Sequence, residues 1–270
     1  MSEITTIISF SGGRTSAYMA YKIKTEITDL KTAYVFANTG KEREETLIFV
    51  NECDKRWSLG IVWIESVINP QKGVGVGYKI VNFETAARNG EPFSDMVSKF
   101  GIPNKEFPHC TRELKERPMQ KWAMDNFGND YVFAIGMRAD ERKRASARPK
   151  RVYPLINTWP TSEPMVRLFW KKQLFDLGLK DYEGNCDLCW KKSLRKRLAI
   201  INENPDVIKQ WKEWEDSGEF VFDRNGFTMD EIAGLAKAKF RPVMDKMEVI
   251  DMAPFLFDVD MDLESKCSCY

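Results

Sequence analysis

The sequence predicts an α/β fold, a parallel twisted sheet flanked by helices and followed by a helical C-terminal portion. Three observations carry this. Short β-branched apolar runs alternate with longer amphipathic stretches through roughly the first 160 residues, the pattern of a parallel sheet with crossover helices. A glycine-rich break follows the first apolar run and opens a helical pattern. The 270 residues are 43% hydrophobic and include 17 Phe and 8 Trp, enough large side chains for a sizeable core.

Residues 4–10 form an apolar, β-branched run, the mark of a buried strand. Ser11-Gly12-Gly13-Arg14-Thr15-Ser16 breaks it and leads into a helix over 17–27. Residues 32–37 read as a second buried strand ending at Asn38-Thr39-Gly40, residues 42–57 as a charge-rich helix and residues 60–65 as a third strand. Residues 69–105 interrupt the alternation. There Gly73, Gly75 and Gly77 predict a hairpin or a mobile loop, and Pro92, Pro103 and Pro108 punctuate the chain beyond it. Helix returns over 110–127 and strand over 131–136, followed by a charged loop over 138–151 and a short apolar run over 152–156. Helices are predicted over 164–177, 186–202, 206–217 and 228–238. Three parts are expected: an α/β domain over 1–160 with the insertion at 69–105, a helical part over 161–244, and an acidic tail over 245–270.

Composition excludes several classes. The apolar fraction is too high for a disordered chain. The longest apolar runs, such as residues 61–64, fall far short of the ~20 residues that cross a bilayer, so no membrane partner is expected. Met1-Ser2-Glu3-Ile4 carries no basic region ahead of an apolar stretch, so no signal peptide is expected and a soluble, cytoplasmic protein is. Six cysteines are too few and too unevenly placed for a disulfide scaffold, and in a reducing compartment clustered cysteines suit metal ligation or thiol chemistry.

A Ser-Gly-Gly turn between a buried strand and a helix aims backbone N–H groups at a bound anion, and the helix start adds favourable partial charge. Ser11, Thr15 and Ser16 add hydroxyls. An ordinary glycine turn with a Ser/Thr cap is the alternative. The Walker A spacing is absent.

This segment resembles the SGGxxS loop of the PP-loop ATP pyrophosphatases, and more narrowly their phosphoadenosine phosphosulfate (PAPS) reductase-like branch with an iron–sulfur cysteine set. Further stretches match in order. Val35-Phe36-Ala37-Asn38-Thr39-Gly40 with Glu45-Thr46 is similar to the branch's second-strand motif. Gly136-Met137-Arg138-Ala139-Asp140-Glu141 with Arg144 is similar to its G-x-R-x-x-E segment, and Tyr153-Pro154-Leu155-Ile156 to its Pro-Leu stretch. Cys110 with Leu114-Lys115 and Pro118, paired with Cys186-x-x-Cys189, resembles its iron–sulfur version. The likeness spans roughly residues 4–200 and implies an adenine nucleotide alpha hydrolase-like fold. It implies that Ser11, Gly12, Gly13, Arg14, Thr15 and Ser16 hold nucleotide phosphates, that Phe36, Asn38, Thr39 and Gly40 lie against adenosine, and that Arg138 lies near the phosphates.

Cys186-Asp187-Leu188-Cys189 spaces two thiolates so that both reach one metal; a redox disulfide and two core thiols are the other readings. Cys110 stands 76 residues upstream, beside His109, the only histidine. By resemblance Cys110, Cys186 and Cys189 ligate a 4Fe-4S cluster, with zinc as the alternative. The family carries a Cys-Cys pair where this chain has His109-Cys110, so the fourth position falls to His109, to a tail cysteine or to none. Cys267 and Cys269, in the last four residues, are candidate catalytic thiols with Arg138, although Lys266-Cys267-Ser268-Cys269 does not match the reductases' Glu-Cys-Gly-type tail. Cys53 reads as a core thiol.

The balance of 41 basic against 40 acidic residues is a cancellation. Residues 138–151 hold seven basic and two acidic residues and residues 191–197 five basic and none acidic, whereas residues 245–264 hold seven acidic residues and one lysine. A basic mouth beside a phosphate loop suits a polyanion, and Tyr153, Trp159 and Trp170 are candidates to stack bases, or core aromatics.

The expected function is an ATP-dependent sulfurtransferase that adenylates a nucleotide or nucleic-acid substrate, with ATP and Mg2+, and transfers sulfur with help of the cluster. The expected partners are an adenine nucleotide, a tRNA or DNA substrate, a sulfur donor or thioredoxin-like reductant, and a second copy in a homodimer. One alternative is a PAPS or adenosine phosphosulfate reductase that releases sulfite. Another is a non-catalytic nucleotide- or nucleic-acid-binding protein with a structural metal site.

Overall fold

A six-stranded sheet organises the fold. The computed structural model describes residues 4–238 and Val243, and these residues divide into two compact units. The first holds residues 4–95 and 110–178, the second residues 96–109 and those after 178.

In the first unit, β1 (Thr5–Ser9) is buried along its whole length, which its unbroken Thr-Thr-Ile-Ile-Ser run allows. It lies between β2 (Thr32–Asn38) and β5 (Tyr131–Ile135), parallel to both. β3 (Val62–Ile68) extends the sheet in parallel beyond β2, and β6 (Arg151–Val152) beyond β5. The insertion contributes β4 (Val76–Val81), which folds back antiparallel on β3, so the order is β4-β3-β2-β1-β5-β6.

α1 (Arg14–Glu26) follows β1 and α2 (Glu44–Trp57) follows β2; their buried residues, among them Met19, Ile23, Leu47 and Val50, recur at helical spacing. Opposing residues of the sheet, including Ile7, Val35, Ile64, Phe133 and Ile135, form a core with Met119 and Trp122. Each such side chain stabilises the fold by about 1.5–3 kcal/mol through burial. α3 (Glu91–Phe100) follows the hairpin.

The helix predicted over 110–127 is interrupted. α4 (His109–Thr111) passes into a π turn, Arg112–Glu116, and then into α5 (Arg117–Phe127). Pro118 lacks the N–H an α-helix would give Leu114, and the Arg117 N–H reaches back to the Arg112 carbonyl. The freed Glu113 carbonyl accepts from Ser66 Oγ at 2.8 Å. Beyond β6 come α6 (Pro154–Asn157) and α7 (Glu163–Lys171), which ends earlier than the 164–177 pattern predicts.

In the second unit, α8 (Leu194–Glu203) begins eight residues later than the predicted 186–202 helix, capped by Ser193. Side chains capture the preceding backbone in turns. Lys192 Nζ donates to the Cys186 carbonyl, and the Asp187 carboxylate accepts from the Leu188 N–H and from Trp211 Nε1. α9 (Ile208–Asp216) and α10 (Met229–Lys237) complete the unit, α10 behind a Thr228–Glu231 capping box. Trp211 packs on Trp214 and Phe222 at ring separations of 5.5 and 4.8 Å.

Candidate functional site

From β1 the chain winds one way to β2 and β3; β5 and β6 lie on its other side. The C-terminal ends of β1 and β5 therefore flank a topological switch point, where open α/β sheets bind ligands. The segments following them are Ser11–Ser16 and Gly136–Arg138.

The first loop needs its glycine. Gly12 has φ +77°, and a Cβ there would stand 2.6 Å from Thr46 Cγ2 and 3.3 Å from Phe36 Cε2. The loop thus lies directly on α2 and β2. Ser16 braces it from within: its Oγ accepts from the Ser11 N–H at 3.0 Å and donates to the Gly13 carbonyl at 2.9 Å. Ser11 Oγ also lies 2.9 Å from Ser16 Oγ. Gly13 is the N-cap of α1 and has no side chain to cap its first N–H groups. On the other flank, a Cβ on Gly136 would meet Ser16 Cα at 2.8 Å, so the two loops are in van der Waals contact.

That packing brings Arg138 to the Ser11–Ser16 loop. Its Nη1 donates to Thr15 Oγ1 at 3.1 Å, its Nε donates to Asp140 Oδ1 at 2.9 Å, and Glu141 and Glu163 stand 3.3 and 3.7 Å from its Nη2. Arg14, by contrast, is drawn sideways. Its Nε and Nη2 donate to the two Asp176 oxygens at 2.7 and 2.8 Å, and its carbonyl accepts from Trp170 Nε1 at 3.0 Å.

The turn after β2 is buried and wired. Asn38 Nδ2 donates to Glu65 Oε1 at 2.7 Å and to the Ala87 carbonyl at 2.8 Å. The Thr39 N–H and hydroxyl both donate to Glu42 Oε2, at 2.7 and 2.8 Å. Gly40, φ +76°, is crowded by Gly90 and Pro92, so the part of the insertion after its hairpin closes over the turn. Phe36 is buried beneath Gly12 against Trp63, at 4.8 Å between ring centroids. Sequence reasoning misses Glu42, Glu65 and Asp176, because acidic residues without motif spacing give no signal; Lys115 enters there only as part of the Cys110 motif, not as a partner of Glu42. Of the aromatic candidates, Tyr153 donates its hydroxyl to the Ser146 carbonyl, Trp159 carries Lys22 over its ring, and Trp170 packs on Phe49 and Phe175.

The cysteines divide between the units. Cys110, half-buried, opens the π-turn helix of the first. Cys186 and Cys189 are buried in the second, in the turns before α8. There Arg197 is almost fully buried, ion-paired with Asp223. Burial pulls its guanidinium down to about 10, against the upward pull of Cys189. Its Nε and Nη1 find no hydrogen-bond partner among the described residues, and neither does Trp190 Nε1. No group of three or more His, Cys, Asp or Glu side chains converges as a metal site among the described residues. Cys267 and Cys269 lie outside them. No described helix is long and apolar enough to cross a membrane.

Comparison with known proteins gives the chain a family. It is 37% identical over 231 residues to the uncharacterized nin region protein ORF290 of Escherichia phage lambda, covering 84% of this chain and 79% of that one. The chain belongs to the ORF290 family. Two uncharacterized proteins of Methanocaldococcus jannaschii are more distant relatives. MJ0066 is 25% identical over 78% of this chain and 40% of its own length, and MJ0973 is 21% identical over 83% and 49%. The chain therefore spans less than half of either archaeal protein. No protein-family model matches. Among solved structures, the phosphate complex of PAPS reductase from Candida auris overlaps 62% of this chain and 71% of its own at 13% identity, with a TM-score of 0.39. An overlap that weak carries no argument about chemistry.

Proposed function

We propose that the first unit binds the phosphates of an adenine nucleotide at the β1–β5 switch point and that the protein is an ATP-dependent sulfurtransferase of the PP-loop class. The observation that carries the reading is the sterically enforced loop. Gly12 and Gly136 pack the uncapped start of α1 against the segment bearing Arg138, so backbone donors, the Thr15 hydroxyl and a guanidinium converge at one sheet edge. In the proposed reaction an acceptor oxygen attacks the α-phosphorus of ATP and pyrophosphate leaves, its charge balanced by the loop amides and Arg138. Hydrosulfide then attacks the activated acceptor atom, the bond to the AMP oxygen breaks with AMP as the leaving group, and the hydrosulfide proton passes to water.

The thiophilic part of the proposal rests on the second unit. Two buried thiols in one turn, with the unsatisfied guanidinium N–H donors of Arg197 nearby, fit an anionic thiolate pair on a soft metal. Cys186 and Cys189 would hold a 4Fe-4S cluster or zinc there. When bound, an iron–sulfur cluster supplies a site that holds sulfide. The chain's own contribution is to keep both thiols dry and the turn fixed, through Lys192 on the Cys186 carbonyl and Asp187 on Trp211.

The test is incubation of the full chain with ATP, Mg2+, sulfide and bulk tRNA, reading AMP, pyrophosphate and thiolated nucleoside. AMP and pyrophosphate in equal amounts are expected. Sulfite release from PAPS or adenosine phosphosulfate with a thiol reductant, and no AMP from ATP, would overturn adenylation in favour of a reductase.

A further inference from the structure

The buried contacts behind the nucleotide turn lead to a cysteine. Glu42 lies two residues after Gly40, and its side chain is fully buried. One oxygen takes both Thr39 donors; the other lies 3.2 Å from Lys115 Nζ, whose side chain is 7% exposed. Lys115 is in the π turn, five residues after Cys110, and the same turn is tied to β3 through Ser66 and the Glu113 carbonyl. All these residues belong to the first unit.

We propose that Glu42 and Lys115 are positioning residues that couple occupancy of the Asn38–Gly40 turn to the exposure of Cys110. The inference rests on the proposed nucleotide site and assigns that site a regulated thiol. A π turn holds one more residue than an α turn. Returning it to α geometry rotates the preceding residues, Cys110 included, by about 100° relative to Lys115. The turn is thus a two-register element. The Lys115–Glu42 pair is made in the π register, and the same carboxylate fixes Thr39. A ligand that tightens the turn around Thr39 favours this register, and the register sets how Cys110 is presented. Coupling of this kind is reciprocal and in proteins amounts to about 5–150-fold in affinity or accessibility.

The experiment labels Cys110 in the full chain with N-ethylmaleimide, with and without saturating ATP, following the Cys110 peptide by mass spectrometry while calorimetry gives the ATP Kd. In the wild type, ATP is expected to change the Cys110 labelling rate at least ~5-fold. Glu42→Gln keeps an acceptor for Thr39 but removes the charge facing Lys115. It should bring the ATP effect below 2-fold while leaving ATP binding measurable, and Lys115→Arg should restore most of the effect that Lys115→Met removes. ATP that binds without changing the labelling overturns the coupling alone. A full effect in folded Glu42→Gln, or equal loss in Lys115→Arg and Lys115→Met, overturns the assigned route. Absence of ATP binding in the wild type instead overturns the nucleotide reading, and the coupling with it.

Discussion

Replacing Gly12 with alanine tests the site's foundation, because its two penalties can be separated. At φ +77° an alanine sits in the left-handed region, which costs about 1–2 kcal/mol. The added Cβ would also stand 2.6 Å from Thr46 Cγ2, inside any real carbon contact, and overpacking in a dense core costs about 1–3 kcal/mol. Gly12→Ala is therefore expected to destabilise the protein by about 2–5 kcal/mol, a shift of roughly 1 M in the urea midpoint followed by tryptophan fluorescence. Thr46→Ser deletes the clashing methyl and keeps the hydroxyl. In the double variant the backbone penalty stays and the steric one goes, so the pair should be more stable than the two single losses add up to, by about 1–3 kcal/mol. ATP affinity should recover in parallel. A Gly12→Ala loss below about 0.5 kcal/mol, or a double variant that equals the sum of the singles, would refute both the loop geometry and the reason given for the glycine.

Two further substitutions read electrostatics. Asp176→Asn removes the carboxylate that draws Arg14 away from the phosphate loop. Both side chains are partly exposed, so stability should change by less than about 1 kcal/mol, while ATP should bind several-fold more tightly at low salt; unchanged or weaker binding counts against a phosphate role for Arg14. In the second unit, burial pushes the Glu215 carboxyl above its ordinary range, against the lowering effect of the Met229 and Phe222 N–H groups it accepts from. A folded-state value above the unfolded one means that the folded protein holds the proton longer. This contribution is full below the unfolded value and is lost as pH rises through the folded one. The stability of Glu215→Gln relative to wild type should therefore improve as pH rises above the ordinary carboxylate range. A difference in urea midpoint that does not vary between pH 4 and pH 8 would contradict it.

The centre of the sheet was legible because strands such as β1 are buried on both faces, and continuous runs such as Thr-Thr-Ile-Ile-Ser have few other readings. Local competition was harder to read. The 110–127 pattern reads as one helix although Pro118 stands in its middle; in the structure Pro118 falls in the first turn of α5, behind the π turn, and the tertiary contact from Ser66 takes up the displaced carbonyl. The 186–202 pattern was helical by periodicity, yet Asp187 and Lys192 capture the backbone first, and the helix waits for Ser193. The Ser-Gly-Gly loop is legible through its glycines, whereas the Asn38–Glu65 and Glu42–Lys115 contacts span 27 and 73 residues of sequence and no spacing announces them.

Charge shows the same limit. Residues 138–151 counted as a basic mouth, but Arg138 and Arg144 pair with Glu141, and Arg148 and Arg151 pair with Glu116. Four of the seven basic residues thus meet carboxylates within the first unit, so the field they offer a distant polyanion is smaller than their number implies. In the proposed site a phosphate must reach the loop amides and Arg138 directly, since Arg138 already faces Asp140, Glu141 and Glu163, and such direct contact is screened by salt less than a long-range field is. The proposed site therefore depends on short-range contact with phosphate and not on long-range capture of a nucleic-acid backbone. It also makes the acceptor's identity a question about what fits the switch point, not about net charge.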